Sequence, residues 1–197
     1  MRTDKKGNSY LSLSMSVNLK SATEQTVTPV SIFVSIPDSV TADLVALTEG
    51  RRLVVNGMMD IHKKDDNLTF FLEAKRIATE GVGEEDMLSG IIHFRGHLRT
   101  ENVYEERTGK TSGKPFLRFS AYSAEKEGEG FVSTWVNFLR FPDGDGNIDS
   151  IKDECMQPKA HVEIRGTLEL DVFRGKVNIN SRVLEMKPYV KPEYPQA

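Results

Sequence analysis

The sequence repeats one pattern of β-rich segments twice. "KKGNSYLSLSMSV" parallels "TSGKPFLRFSAYS", and "TVTPVSIFVSIPD" parallels "FVSTWVNFLRFPD". The longer segment "EGRRLVVNGMMDIHKKDDNLTFFLEAKRI" is matched in the same way by "KAHVEIRGTLELDVFRGKVNINSRVL". Each half carries a glycine, Gly57 or Gly166, inside the strand that would be the fourth of a five-strand pattern. A bend or a bulge is expected there. The chain is therefore expected to fold as two similar β domains in tandem.

Alternation of apolar and polar residues predicts the strands of each half. The predicted strands cover residues 9–19, 26–36, 51–61 and 68–77 of the first half, and 89–98, 116–123, 132–141, 161–171 and 176–186 of the second. One short helix is predicted in "DSVTADLVALTEG", with Leu44, Val45 and Leu47 as its buried stripe and Gly50 at its end. Tight reversals are predicted at "HKKDDN" and "VFRGK".

Five short strands with a helix between the third and fourth describe the five-stranded OB barrel. We therefore predict an all-β chain of two tandem OB-fold barrels with one short helix. The first half has no convincing opening strand before Tyr10, so its barrel is incomplete or borrows a strand.

Charge divides the chain in the same way. Residues 1–80 hold ten Lys/Arg and ten Asp/Glu, and residues 90–190 hold fifteen of each, so the net charge of −3 comes from Glu84, Glu85 and Asp86. We predict an OB domain at 1–80, an acidic linker at 81–88, a second OB domain at 89–190 and a tail at 191–197.

Large rings occupy both faces of two neighbouring strands in "KPFLRFSAYSAEKEGEGFVSTWVNFLRF", residues 114–141, which holds the only tryptophan. A barrel core needs one such face, so the other set is free to contact a ligand. Bases of a single strand stack on aromatic rings with little sequence preference, and neighbouring Lys and Arg contact phosphates. Alternation alone does not decide whether Phe116, Tyr122 and Phe138 lie on the core face or on the outer face.

Three segments of the second half carry a resemblance to a known family. "GIIHFRGHLRTENVYEERTGKTSGKPFLRFSAYS", "STWVNFLRF" and "VEIRGTLELDVF" resemble the first to fourth strands of the bacterial-type single-stranded DNA-binding proteins, over residues 88–189 and more weakly over 7–78. The resemblance implies base stacking on Trp135, Phe141 and Phe173. The basic residues interleaved with these rings are the candidate phosphate contacts: Arg95, Arg99, Lys110, Lys114, Arg118, Arg140, Arg174 and Lys176.

The chain departs from the family pattern in two places. The first half has Val30 where the second has Trp135, and Lys64 where it has Phe173, which implies weak binding or an assembly role for the first barrel. The end "KPYVKPEYPQA" lacks the acidic cluster with which the family recruits partners. Because the family usually presents four OB-folds to one strand, a chain with two is expected to form a homodimer.

Other functions are poorly supported by the sequence. "DGDGNIDSIKDE" resembles a calcium loop but has Ile148 where the turn needs glycine. "TGKT" lacks the first glycine of a P-loop, and the four histidines show no metal spacing. With a single cysteine, Cys155, and no apolar run of membrane length, we expect a cytoplasmic protein with no membrane partner, cofactor, metal or enzymatic activity.

The sequence thus predicts a non-catalytic binder of single-stranded DNA with weak sequence preference, serving DNA replication, recombination or repair. The alternative is an OB-fold protein–protein interaction module of a replication or conjugation complex. RNA binding by the same platform is a third possibility.

Overall fold

The computed structural model describes residues 2–3, 7–21, 26–41, 45–64, 67–143, 146–152 and 154–191. The chain divides into two compact units, Met1–Met87 and Leu88–Ala197. The division falls within the predicted linker at 81–88.

The first unit is a single sheet with strand order β1-β2-β3-β5-β4. Its strands are β1 (Arg2–Thr3), β2 (Ser9–Lys20), β3 (Val27–Pro37), β4 (Val54–Lys64) and β5 (Asn67–Ala78). β3 and β5 run parallel, and the other neighbours are antiparallel. The alternation predicted from sequence places one face of β3 and β5 in the core, namely Val30, Ile32, Val34, Ile36, Phe70, Leu72 and Ala74.

This first sheet remains open at β4. Among the described residues, no strand pairs with the edge of β4 that faces away from β5. The two-residue β1 pairs only with β2, at Arg2 with Tyr10 and Thr3 with Ser9. The predicted lack of an opening strand is therefore confirmed for the described part of the chain.

The helix predicted at 38–50 is not formed by the described residues of that segment. Residues 42–44 lie outside the described residues, and the described residues on either side form turns. Val45, assigned to the buried stripe, is 87% exposed. A helix of about three turns with so few apolar residues gains little unless a core receives them, since short helices are marginal in isolation.

Part of the predicted acidic linker is docked on the first unit. The Asp86 carboxylate accepts hydrogen bonds from the backbone N and side-chain Nδ2 of Asn18, at 2.9 and 2.8 Å. Arg52 approaches the same carboxylate to 2.9 Å. The Asn18 backbone N–H, with further help from the Asn18 side chain and Arg52, holds the pKa of Asp86 below its ordinary value.

The second unit is a closed barrel. Its strands are β6 (Gly90–Leu98), β7 (Tyr104–Thr108), β8 (Pro115–Glu127), β9 (Gly130–Arg140), β10 (His161–Phe173) and β11 (Lys176–Pro188), with a 3-10 helix at Ile148–Ile151. The strand order is β6-β10-β11-β9-β8-β7, and an additional β6–β8 pairing closes the ring. β9 and β11 are parallel. The strand β7 was not predicted, because its sequence "YEERT" is charged and largely exposed and has no apolar alternation.

Gly57 in β4 and Gly166 in β10 lie at bulges, as predicted. The register shifts between Asn56 and Gly57 in β4 and between Arg165 and Gly166 in β10. A Cβ on Gly166 would come within 2.6 Å of the Arg182 carbonyl oxygen, so no larger residue fits there without a backbone shift. The two units therefore share one architecture, the OB fold, complete in the second unit and open in the first.

The two predicted reversals are described to different extents. In "VFRGK", Arg174 and Gly175 both have positive φ, at 51° and 70°, as a two-residue type I′ hairpin turn requires. In "HKKDDN", residues 65–66 lie outside the described residues.

The calcium-like loop shows no metal site in its described part. Asp149 is paired with Lys152 at 2.8 Å, and Glu106 lies 2.6 Å from the same amine; both carboxylates raise the pKa of Lys152. Asp145, a second would-be ligand, lies outside the described residues. Over the described chain, no group of three or more His, Cys, Asp and Glu side chains could hold a metal ion, and no helix has the length and apolar character to cross a membrane.

Candidate nucleic-acid interface

The two faces of β8 and β9 separate into a core face and an outer face. Leu117, Phe119 and Ala121 of β8 face inward with Val136 and Phe138 of β9. Phe138 is completely buried and packs against the rings of Phe94 and Phe119 at 5.3 and 5.2 Å. Of the two faces left open for Phe138 by the sequence, the structure places it in the core. The outer set, which we call the ring face, consists of Phe116, Tyr122, Trp135 and Phe141.

Trp135 lies at one end of the ring face. It is 44% exposed and sits opposite Tyr122 in the antiparallel pairing, with the ring centres 5.0 Å apart. The guanidinium carbon of Arg99 lies 5.3 Å from the Trp135 ring centre. A cation over an indole is a favourable pair, and it places a positive charge next to an accessible aromatic surface.

Phe141 lies at the other end. Its ring stacks on Phe116 at 5.2 Å, and the guanidinium carbon of Arg182 lies 4.8 Å from its centre. Arg182 was not predicted as a binding residue, because it belongs to β11 and lies beside β9 only through the parallel pairing with Leu139. No local pattern in the sequence reveals that neighbour.

Between these two ends the outer face is polar. The Ser120 hydroxyl donates to Asn137 Oδ1 at 2.9 Å, and Asn137 Nδ2 donates to Asn180 Oδ1 at 3.2 Å. These short side chains leave a shallow strip between the two aromatic ends, with Arg118 exposed on the same side of β8.

Phe173 stands at the tip of the β10–β11 hairpin. It is 48% exposed, and the adjacent Arg174 places its guanidinium carbon 5.1 Å from the ring centre. Lys176 is exposed on the other side of the turn. The hairpin tip thus repeats the combination of an accessible ring and a cation that is found on the ring face.

The remaining predicted basic residues fall in three places. Lys110 and Lys114 are exposed in the connection between β7 and β8. Arg95 is exposed on β6, where its Nη1 lies 3.4 Å from the Tyr189 hydroxyl. Arg140 differs from the others, because it shares the inward alternation of β9 and donates from Nη1 to Met186 Sδ at 3.8 Å.

One feature of the outer surface was not anticipated. Five rings from neighbouring segments of the barrel form a single line, in the order Trp135, Tyr122, His97, His161 and Tyr189. Neighbouring ring centres are separated by 5.0, 5.8, 4.2 and 4.3 Å. Tyr122 pairs with Trp135 and His97, and His97 with His161, in register across β9, β8, β6 and β10. We call this line the ring row.

The ring row is held by backbone as well as by ring contacts. The Tyr189 N–H donates to the His161 carbonyl at 2.9 Å, which continues the same line beyond the end of β11. Burial lowers the pKa of His161, and the neighbouring His97 and Arg95 lower it further. The imidazole of His161 is therefore held neutral more strongly than an ordinary histidine.

The first unit departs from the predicted correspondence. β3 pairs with β5 at Ile32–Phe70 as β9 pairs with β11 at Val136–Ile179. This alignment puts Ser31, rather than Val30, at the position of Trp135, and Val30 is buried. The assignment of Val30 is wrong by one residue, which reverses the face in a strand.

The outer face of the first unit has aromatic residues of its own. Phe33 and Phe71, each 46% exposed, stack at 5.5 Å where the second unit has Asn137 and Asn180. Lys64 ends β4 as Phe173 ends β10, in agreement with the predicted correspondence.

No family model and no curated protein matches the chain. Among solved structures, it is similar to the wild-type single-stranded DNA binding protein from Thermus aquaticus, at 15% identity and a TM-score of 0.44, over 100% of this chain and 89% of that one. It is also similar to the mitochondrial single-stranded DNA binding protein Rim1 of S. cerevisiae, at 16% identity and a TM-score of 0.40, over 54% of this chain and 100% of that one.

A third similarity is to PriB from Ralstonia solanacearum, at 15% identity and a TM-score of 0.34, over 50% of this chain and 97% of that one.

Proposed function

We propose that the protein is a non-catalytic binder of single-stranded DNA with weak sequence preference, acting in DNA replication, recombination or repair in the cytoplasm. One observation supports this best. Trp135, Phe141 and Phe173 each keep accessible ring surface, and each has an arginine guanidinium within 4.8–5.3 Å of its ring centre.

The arrangement suits a single strand for physical reasons. Stacking of a base on an exposed ring contributes about 1–3 kcal/mol and tolerates every base, because each has a π face. The arginines beside the rings, Arg99, Arg182 and Arg174, are placed to contact the phosphates that accompany stacked bases, which adds affinity that falls with salt. In an OB fold, the second and third strands and the loop between the fourth and fifth are the surfaces that bind oligonucleotides. These correspond to β8, β9 and the hairpin at Phe173.

Titration of the protein with oligo-dT is expected to quench the fluorescence of Trp135, the only tryptophan. The affinity should fall steeply with added salt, because phosphate contacts release counterions. The measurement is a fluorescence titration at a series of salt concentrations, with double-stranded DNA of matched length as the control that should bind much more weakly.

Two other outcomes would assign a different function. Absence of both quenching and salt dependence would favour the protein–protein interaction module. A matched RNA oligomer that displaced oligo-dT at lower concentration would favour RNA, since contacts to the 2′-hydroxyl distinguish the two nucleic acids.

We further propose that the first unit serves assembly and that the protein is a homodimer. The edge of β4 has no strand partner among the described residues, and proteins seldom leave such an edge open to solvent. The stacked Phe33–Phe71 pair lies on the same sheet, beside the acidic Asp60 and Glu73, which disfavour contact with phosphates. A second copy of the chain paired along β4 would cover the edge and give a particle with four OB-folds.

Light scattering on the purified protein should therefore report a mass of about 44 kDa, twice the 22.1 kDa of one chain. The number of chains per particle should be two with or without DNA, because the pairing uses the first unit. A clean monomer at micromolar concentration would exclude the homodimer while leaving DNA binding by the second unit untouched.

A further inference from the structure

We propose that the stacked pair His97–His161 is a phosphate-binding subsite for the single strand, and that it takes up a proton when the strand binds. The inference rests on the proposed function, because the phosphate belongs to the strand that stacks on Trp135. It assigns a role to residues of the ring row that neither the strand pattern nor the family resemblance singled out.

The geometry of the pair decides what it can bind. The two imidazole centres are 4.2 Å apart with only 18° between the ring planes, so the facing ring surfaces cover each other. Tyr189 lies against the far side of His161 at 4.3 Å, and Tyr122 lies beyond His97 at 5.8 Å. Bases therefore have no free face to stack on in the middle of the ring row. Both histidines are half-buried, and we infer that a phosphate reaches the ring edges, which carry the nitrogens.

Ring nitrogens match a phosphate only in one protonation state. A neutral imidazole offers one donor and one acceptor, whereas an imidazolium offers two donors. A phosphate diester carries a negative charge and accepts hydrogen bonds without donating any. Protonation of the pair therefore improves its fit to phosphate in both charge and hydrogen bonding.

The free protein opposes that protonation. Burial lowers the pKa of His161, and the coulombic influence of the neighbouring His97 and Arg95 lowers it further. Glu163 acts in the opposite direction but is itself paired with Lys187 at 3.5 Å. The charged and titratable groups around the pair are Arg95, Arg99, Tyr122, Glu163, Lys187 and Tyr189. The neighbourhood is therefore predominantly cationic, and an incoming phosphate would offset the repulsion that disfavours protonation of His161.

Position along the ring row supports the same assignment. Trp135 accepts a base at one end of the row, and Arg99 and Arg95 lie at its two ends. The backbone of a strand stacked on Trp135 can then continue over the imidazole edges toward Arg95. This path uses the outer side of β6 and β10, in addition to β8 and β9.

Because proton uptake accompanies strand binding in this proposal, the direction in which the association constant depends on pH can be predicted. If the pKa of the pair is higher in the complex than in the free protein, the complex holds more protons at pH values between the two. The association constant then rises as pH falls through that interval and levels off below the free-protein pKa. Uptake of one proton corresponds to at most about a tenfold gain in affinity per pH unit.

Calorimetric titration with oligo-dT, in buffers of different ionisation enthalpy between pH 6 and pH 8, measures the proton uptake directly. The wild-type protein is expected to take up protons on binding, at most about one per subsite, and more at pH 6 than at pH 8. The double variant His97→Gln/His161→Gln keeps polar side chains of similar size and should lose most of this uptake. The matched control is His93→Gln, an exposed histidine on the same strand outside the ring row, which should keep it.

Two results would overturn the proposal: oligo-dT binding without proton uptake, or equal loss of uptake in the His93 variant and the double variant. Failure to bind oligo-dT at every pH would instead contradict the proposed function. In that case, NMR titration of the His97 and His161 ring protons with inorganic pyrophosphate decides the anion subsite separately. A raised pKa of the pair supports the subsite, and an unchanged pKa excludes it.

Discussion

Replacing Phe138 with alanine is expected to lower the free energy of unfolding by about 3–5 kcal/mol, as for other buried phenylalanines. The side chain is completely buried, and its ring packs against Phe94 and Phe119 in the centre of the second barrel. Little of the resulting cavity can collapse, because the surrounding strands are tied together by the closed ladder. Chemical denaturation followed by circular dichroism measures the change.

The matched control for this experiment is Trp135→Ala. Trp135 is on the same strand, three residues away, but on the outer face, so its removal should change the free energy of unfolding by only about 1 kcal/mol. If the two variants were equally unstable, the separation of β9 into a core face and a binding face would be incorrect.

Replacing both Trp135 and Phe173 with alanine should give the largest loss of oligo-dT affinity. Each side chain is expected to contribute about 1–3 kcal/mol if a base stacks on it. The two belong to different elements, β9 and the end of β10, so their effects are expected to add. Because the double variant lacks tryptophan, its binding is measured by the fluorescence anisotropy of a labelled oligonucleotide.

The first unit supplies the comparison. Lys64 ends β4 as Phe173 ends β10, so Lys64→Ala tests the equivalent position. It should remove one phosphate contact at most and lower the slope of log K against log salt by about one. A larger loss of affinity from Lys64→Ala than from Trp135→Ala would contradict the assignment of the second barrel as the main platform.

Much of the fold could be predicted because it depends on local alternation. Residues 116–122 alternate with period two between a mixed aromatic and polar set and the apolar set Leu117, Phe119 and Ala121. The structure places the two sets on opposite faces of β8, as the period requires. The glycines at 57 and 166 likewise identify the bulges, since each lies where the partner strand leaves no room for a Cβ. The helix predicted at 38–50 is not formed by the described residues of that segment. The strand β7 was missed because it is defined by its pairing with β8 and not by apolar alternation of its own.

Correspondence between the two halves was harder to predict than the strands themselves. Alignment of the repeats set Val30 against Trp135, whereas strand pairing sets Ser31 there. In a strand, an error of one residue moves a side chain from the outer face into the core. Hydrogen-bond register resolves this, and it is a property of two chain segments together.

The sequence by itself determined the tandem β architecture, the open first sheet and the two alternating sets of rings, because these follow from period, glycine placement and composition along the chain. It could not show which set faces outward, because alternation is symmetric until a core exists. Only the tertiary structure placed Arg182 beside Phe141 and joined His97, His161 and Tyr189 to Trp135 and Tyr122. Those residues are separated by tens of positions in the chain, and they meet because antiparallel and parallel ladders bring one residue of each strand onto the same line across the barrel.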